Sequence, residues 1–413
     1  MNPKHILDGI KVLDFTQFLA GPSATRVMAE MGAEIVKIEE STIGDNSRFF
    51  PYRASDGRSA YYVQQNRGKK SVAVNLKTEK GKQIIRDLIP HFDVLIENYS
   101  AGVIGRLGFS WDVVKKLNPR MIMCSISTFG QEGPLAHLPG YDYIAQAYSG
   151  VSAMIGDPNG PPALVGLAIG DTSTGVHAAT AIGYSLFHRE RTGKGQYLDI
   201  ALLDTYFHHH EVNVQDYSAS KGQSLPRRLG THHNVAAPAG MFKGKDRYFF
   251  IIALTHQWQP FCDAIGKPEL KTDPRFSDPT TRIKNRMELA KIIEDWFAEV
   301  GDDVAQKTLE DGRIPVAPIL QVEEVMSHPH MIQRETVRTI YDRSIGEFQV
   351  PGMPLRFSEF PGHLDLEAPY LGEQNADVLG QYLSMTAGDI AALEREGVLG
   401  KESVPDKPAA RGN

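Results

Sequence analysis

The chain has 413 residues, enough at about 150 per domain for two to three domains and a sizeable core, which excludes a small stapled scaffold. Its 44 Lys and Arg against 50 Asp and Glu leave a net charge of −6, which argues against wrapping nucleic acid or coating an anionic membrane. An apolar content of 41% and a charged content of 23% are those of an ordinary soluble globular protein, and the two cysteines, Cys124 and Cys262, allow neither a disulfide framework nor a Cys-rich metal site.

In chain order, Ile10 to Phe15 is a short apolar run that ends before the Gly21-Pro22 turn. An amphipathic stretch, Ser23 to Met31, and a second apolar run, Glu34 to Ile38, follow, so the opening reads strand, helix, strand. The pattern continues with Ser71 to Asn75 as strand, Glu79 to Ile89 as helix, Asp93 to Glu97 as strand, Trp111 to Leu117 as helix and Met121 to Ile126 as strand. Strands alternating with helical periods predict a parallel sheet with helices on its faces. Ligands of such sheets sit beyond the carboxyl ends of the strands, which singles out the loops starting near Phe15, Ile38, Asn75, Glu97 and Ile126.

A long Ala- and Gly-rich helix is predicted from about Thr172 to His188, then a strand from Tyr197 to Leu203. Between about Gly222 and Gln321 the texture changes to Pro- and Gly-punctuated segments, with a buried strand at Tyr248 to Leu254 and helices beginning near Gln257, Thr281 and Asp303. Strand-like runs at Val337 to Tyr341 and Gly346 to Val350 precede two terminal helices, near Gln374 to Leu383 and Ala387 to Glu396. The longest apolar stretch, Tyr248 to Leu254, falls far below the ~18 residues of a membrane span, and Met1 to Asp8 has no apolar signal core. The expected location is the cytoplasm.

Several clusters are candidates for chemistry. Asn66-Arg67-Gly68-Lys69-Lys70-Ser71 offers cations and a glycine to a phosphate-bearing ligand, or is a solvated turn. Glu97-Asn98-Tyr99-Ser100-Ala101-Gly102 leaves a strand at its carboxyl end, with Arg106 one to two helical turns on; its polar groups suit a nucleotide or simply cap a helix. Gly140-Tyr141-Asp142 and Gly170-Asp171 each put an Asp near a helix start, where the dipole favours the charged carboxylate; such a carboxylate can attack an activated acyl group or simply cap the helix. His208-His209-His210 and His232-His233 lack spaced Asp, Glu or Cys partners, so no metal is expected. The glycines at 21, 32 and 44 do not form GxGxxG.

Taken in order, these segments resemble the class III CoA-transferase family, the formyl-CoA transferase and carnitine CoA-transferase type. The likeness spans about Leu7 to Gly372. It rests on Gly9 to Phe15 with Gly21-Pro22, Gly32 to Glu39, Asn66 to Ser71, Glu97-Asn98-Tyr99, Gly140-Tyr141-Asp142, Gly170-Asp171 and Arg191 to Gln196. It implies an α/β fold with a large Rossmann-like parallel-sheet domain, a smaller α+β domain and an interlocked homodimer. The implied domains are 1–204 (CoA-binding, N-terminal part), 224–321 (smaller domain), 322–400 (return linker and C-terminal part of the large domain) and a tail at 401–413. On that dimer, the connections Asp204 to Gln223 and Val322 to Thr336 are expected to be extended and buried by the partner.

The same likeness implies CoA transfer from an acyl-CoA to a small carboxylate, with Asp171 as nucleophile and no cofactor beyond CoA itself. Leu19, Ala20, Val74, Asn75, Leu76, Lys77, Asn98, Tyr99, Ser100 and Arg106 would line the CoA site, and Pro139, Gly140, Tyr141 and Asp142 the acyl end. Three positions depart from formyl-CoA transferase, Leu19 and Ala20 in place of its Gln and Ser before the first Gly-Pro and Glu40 in place of an Arg, and its Gly-rich lid is missing from the segment around Ala236 to Lys245. His233 and Asn234 of the smaller domain are the expected acceptor contacts. The alternatives are an α-methylacyl-CoA racemase of the same fold, whose base would be a His where Tyr141 stands, and a non-catalytic acyl-CoA-binding protein.

Overall fold

A computed structural model describes residues 4–404, so most of the expected tail, from residue 405 on, lies outside the described residues. The chain divides into two compact units. The larger takes residues up to Gly150, Gly166–Glu211 and Pro329 onward, and the smaller takes Val151–Val165 and Val212–His328.

The larger unit is built on strands β1 (Lys11–Asp14), β2 (Glu34–Glu39), β3 (Lys69–Val74), β4 (Val94–Glu97), β5 (Ile122–Ser127) and β6 (Gln196–Ala201), ordered β3-β2-β1-β4-β5-β6 with every neighbouring pair parallel. A short C-terminal strand, Leu399–Gly400, pairs antiparallel with the free side of β3. Each apolar run that the sequence marks as a strand of this sheet falls on one of its strands. Val12, Leu13, Val36, Val72, Leu95 and Met123 are buried, because helices on both faces leave a parallel strand no wet side. The predicted helices fall at Glu79–Leu88, Trp111–Leu117 and Ile169–Thr192; the first is capped by Thr78, whose Oγ1 accepts the Gly81 N–H at 3.0 Å. From β1 the chain builds outward through β2 and β3, then returns to β4 on the other side, so the strand order reverses between β1 and β4. That is where an open parallel sheet leaves a crevice.

The smaller unit has an antiparallel sheet of β7 (Ala239–Lys243), β8 (Tyr248–Ile252) and β9 (Val316–Pro318) over a core that includes Phe242, Phe249, Phe261 and Phe297. The sequence reads Tyr248 to Leu254 as wholly buried. In the structure Phe249 and Ile251 are buried while Tyr248 and Phe250 are exposed, as in a sheet with one covered face. The helix expected from Thr281 is broken at Asn285 into Pro279–Lys284 and Arg286–Val300. The connections expected to be extended instead carry helices, Leu202–His208 and Asn213–Ala219 in the first and Val322–Ser327 and Pro329–Gln333 in the second. Local i to i−4 hydrogen bonding satisfies their backbone without a neighbouring strand.

Candidate active site

At the β1/β4 reversal a cavity of about 230 Å³ opens beyond the strand ends, lined by Gln17 to Ala20 after β1, Asn98 to Ala101 after β4, Ile126 to Phe129 at the end of β5, and Pro139, Gly140, Tyr141 and Asp171. Its floor is fixed by side chains spent on backbone. Asn98 accepts the Gln17 N–H at 2.7 Å and donates to the Gln17 carbonyl at 2.8 Å, which docks the β1 loop against the β4 loop. Phe18 then takes a left-handed conformation, φ 63°, with its N–H held by Asp45 Oδ1 at 3.1 Å. Such backbone costs about 1–3 kcal/mol and persists where the surroundings dictate it.

Asp171 lies in the first turn of the Ile169–Thr192 helix, two residues past its start, and is not its cap. Its backbone N–H donates to Asp142 Oδ2 at 2.8 Å, while Tyr206 Oη donates to Asp142 Oδ1 at 2.7 Å. Among the described residues no side chain donates to the Asp171 carboxylate, which faces the cavity. Burial, reinforced by the Asp142 charge, pushes its carboxyl up to about 7. The helix-start argument alone expected a carboxylate held firmly ionised; burial and a like charge outweigh the dipole. The phenol of Tyr61 feels the Asp171 charge as well and is raised, chiefly by burial.

The Arg67-Lys69-Lys70 cluster is not a phosphate grip. Arg67 and Lys69 are buried and paired with Glu30 and Asp14, the latter at 3.1 Å, and Lys70 reaches Glu34 at 2.6 Å. Lys37 pairs with Asp45 at 2.9 Å in the same interior network. Burial would raise the Asp14 carboxyl, but Lys69 and Lys37 outweigh it and hold it below the usual range. The histidine run is spent locally. His209 Nε2 lies 3.0 Å from Ser173 Oγ and His210 Nε2 2.9 Å from the Ser149 carbonyl, and no three His, Cys, Asp or Glu side chains among the described residues form a metal-ligand group.

The sequence profile described as CoA-transferase family III matches residues 7–375. The chain is 34% identical to the formyl-CoA:oxalate CoA-transferase of Streptomyces avermitilis, over 95% of this chain and 99% of that protein. It is 35% identical to the succinyl-CoA:glutarate CoA-transferase of Mus musculus, over 95% and 90% of the two. The chain belongs to CoA-transferase family III. Its fold matches the crystal structure of a CaiB/BaiF family protein from Brucella suis with a TM-score of 0.81 at 32% identity, over 92% of this chain and 100% of that one.

In this family III CoA-transferase the cavity gathers Leu19, Ala20, Asn98, Tyr99, Ser100, Pro139, Gly140, Tyr141 and Asp171. Asp142 is buried behind it, 4% exposed. Val74, Asn75, Leu76 and Lys77 are not among the cavity-lining residues; they stand at the carboxyl end of β3, two strands from β1, where Val74 is a core residue, Leu76 packs on the core and Lys77 is exposed. Arg106 is exposed on the Val103–Arg106 turn that follows the Asn98 to Ala101 lining. His233 and Asn234 are exposed residues of the smaller unit, before β7. Sequence reasoning missed Phe18, Phe129 and Leu202 in the lining, although the strand-end rule marked the loops that bring the first two. It also missed Tyr206, which no local pattern announces.

Proposed function

We propose that this enzyme moves CoA from an acyl-CoA donor to a small carboxylate, with Asp171 as covalent nucleophile. What carries the reading is Asp171 itself, a half-buried carboxylate without a side-chain donor among the described residues, facing a cavity at the strand-order reversal. An Asp171 Oδ attacks the thioester carbonyl of the donor, the C–S bond breaks, and an aspartyl-acyl anhydride and a CoA thiolate result. The thiolate then attacks the Asp171 carbonyl, releasing the donor carboxylate and leaving an aspartyl-CoA thioester. The acceptor carboxylate runs the same two steps in reverse. Partial desolvation, which lifts the Asp171 carboxyl, also leaves its anion a better nucleophile than a hydrated carboxylate. Tyr141 can donate to an acyl oxygen, and it stands where the racemase alternative calls for a His as the base that abstracts the α-proton.

Leu19, Ala20, Asn98, Tyr99 and Ser100, with Val74 to Lys77 and Arg106, would line the CoA site, Pro139 to Asp142 the acyl end, and His233 with Asn234 would contact the acceptor. No metal or redox cofactor enters these steps. An interlocked homodimer in the cytoplasm completes the proposal. It is supported by apolar side chains left exposed on the Ile169–Thr192 helix, Val176, Tyr184 and Phe187.

The test is a panel of formyl-, acetyl- and succinyl-CoA against oxalate, glutarate and other small mono- and dicarboxylates, read by mass spectrometry. At least one pair should turn over in the wild type and none in Asp171→Ala. Hydroxylamine added with the donor should map a hydroxamate to Asp171; a fully active Asp171→Asn enzyme, or a hydroxamate elsewhere, defeats the assignment.

A further inference from the structure

Asp142 poses a problem of its own. It is 4% exposed, and no Lys or Arg pairs with it among the described residues, so its carboxylate depends on hydrogen-bond donors. It has one from backbone, Asp171 N–H, and one from a side chain, the Tyr206 phenol. Tyr206 is 2% exposed and is not part of the cavity wall, so it does not touch what the cavity holds. Gln146, one turn after Asp142 on the helix Asp142–Tyr148, donates to Tyr206 Oη at 3.3 Å and orients it.

We infer that Tyr206 is a positioning residue for the transfer reaction: by holding one oxygen of Asp142 while the other holds the Asp171 amide, it sets where Asp171 sits and how much negative charge stands beside it. The inference rests on Asp171 being the nucleophile. The titratable groups around this pair are few. Asp142 comes from the Asp142–Tyr148 helix and Tyr206 from Leu202–His208, Tyr61 senses Asp171, and the His209 ring stands edge-on to Tyr206 at 6.5 Å while bonded to Ser173. A phenol O–H spreads the Asp142 charge; without it that charge acts on Asp171 undiminished.

The experiment measures transfer from succinyl-CoA to the fastest acceptor of the panel, from about pH 5 to about pH 9, for wild type, Tyr206→Phe and Asp142→Asn. Tyr206→Phe should move the midpoint of the rising limb up by about 0.5–1 pH unit, and Asp142→Asn should move it down. A merely structural tyrosine would lower the rate equally at every pH. An unchanged or lowered midpoint in Tyr206→Phe overturns the inference; if that variant does not fold, an unchanged midpoint in Asp142→Asn overturns it instead. Asp171→Ala separates the two failures. If it still transfers CoA, the nucleophile assignment has failed; if it is dead while the Tyr206→Phe midpoint stays put, only the role of Tyr206 has.

Discussion

A methyl group on Gly170 and the ring of Tyr206 would occupy the same space, because a Cβ built at 170 lies 2.1 Å from Tyr206 Cε2. The absence of a side chain beside Asp171 is therefore what lets the phenol reach Asp142. Gly170→Ala should displace Tyr206, cost about 1–3 kcal/mol of stability and lower kcat tenfold or more, since overpacking a dense site shifts its neighbours. Thermal melts and steady-state kinetics check both halves.

Activity should rise with pH through about 7, where the Asp171 carboxyl ionises. Its folded value is raised above the ~3.9 of an unfolded chain, so the folded state holds the proton more tightly. The fold consequently loses stability as pH climbs from that lower value through about 7. Asp171→Asn should therefore melt about 2–4 °C above wild type near pH ~8 and show no gain near pH ~4.

Glu97 obeys the same sign. It is 1% exposed at the end of β4, burial pushes its carboxyl up to about 7, and its Oε2 accepts the Tyr99 N–H at 2.7 Å. Glu97→Gln should raise the melting temperature at pH ~8, where the wild-type carboxylate is charged and buried, and leave it unchanged near pH ~4. Urea melts at the two pH values measure it.

Lys69 and Asp14 stand 3.1 Å apart with neither side chain exposed. Lys69→Met should destabilise the fold by about 3–5 kcal/mol, because it leaves Asp14 buried with only part of its compensation. The double variant Lys69→Met/Asp14→Asn should recover much of that loss, and chemical denaturation of the set gives the coupling directly.

Much of the parallel sheet was legible in the sequence, since a strand covered on both faces must be apolar along its length, as Val94-Leu95-Ile96 is. The cavity was half legible for a related reason: strand ends follow from the strands and Asn98 follows from the end of β4, whereas Asp171 was marked by its helix start and by the family likeness. Arg67 and Lys69 misled because nothing local distinguishes a cation bound for solvent from one that will meet Glu30 or Asp14 in the interior. Tyr206 and Asp142, 64 residues apart, meet only through tertiary packing, and so does the ionisation of Asp171, which depends on a neighbour rather than on its own helix.

The two-residue strand Leu399–Gly400 has a consequence for how the chain is made. β3 is one of the two outer parallel strands, and among the described residues only Leu399–Gly400 pairs with its free side. On the ribosome, β1 to β6 can assemble long before residue 399 leaves the exit tunnel, so the nascent sheet carries an unpaired flank for the whole synthesis of the smaller unit. A lone strand flank recruits other strands. A chain stalled or truncated before Leu399 should then be the aggregation-prone product, whereas completion of the strand Leu399–Gly400 should act as a latch against self-association.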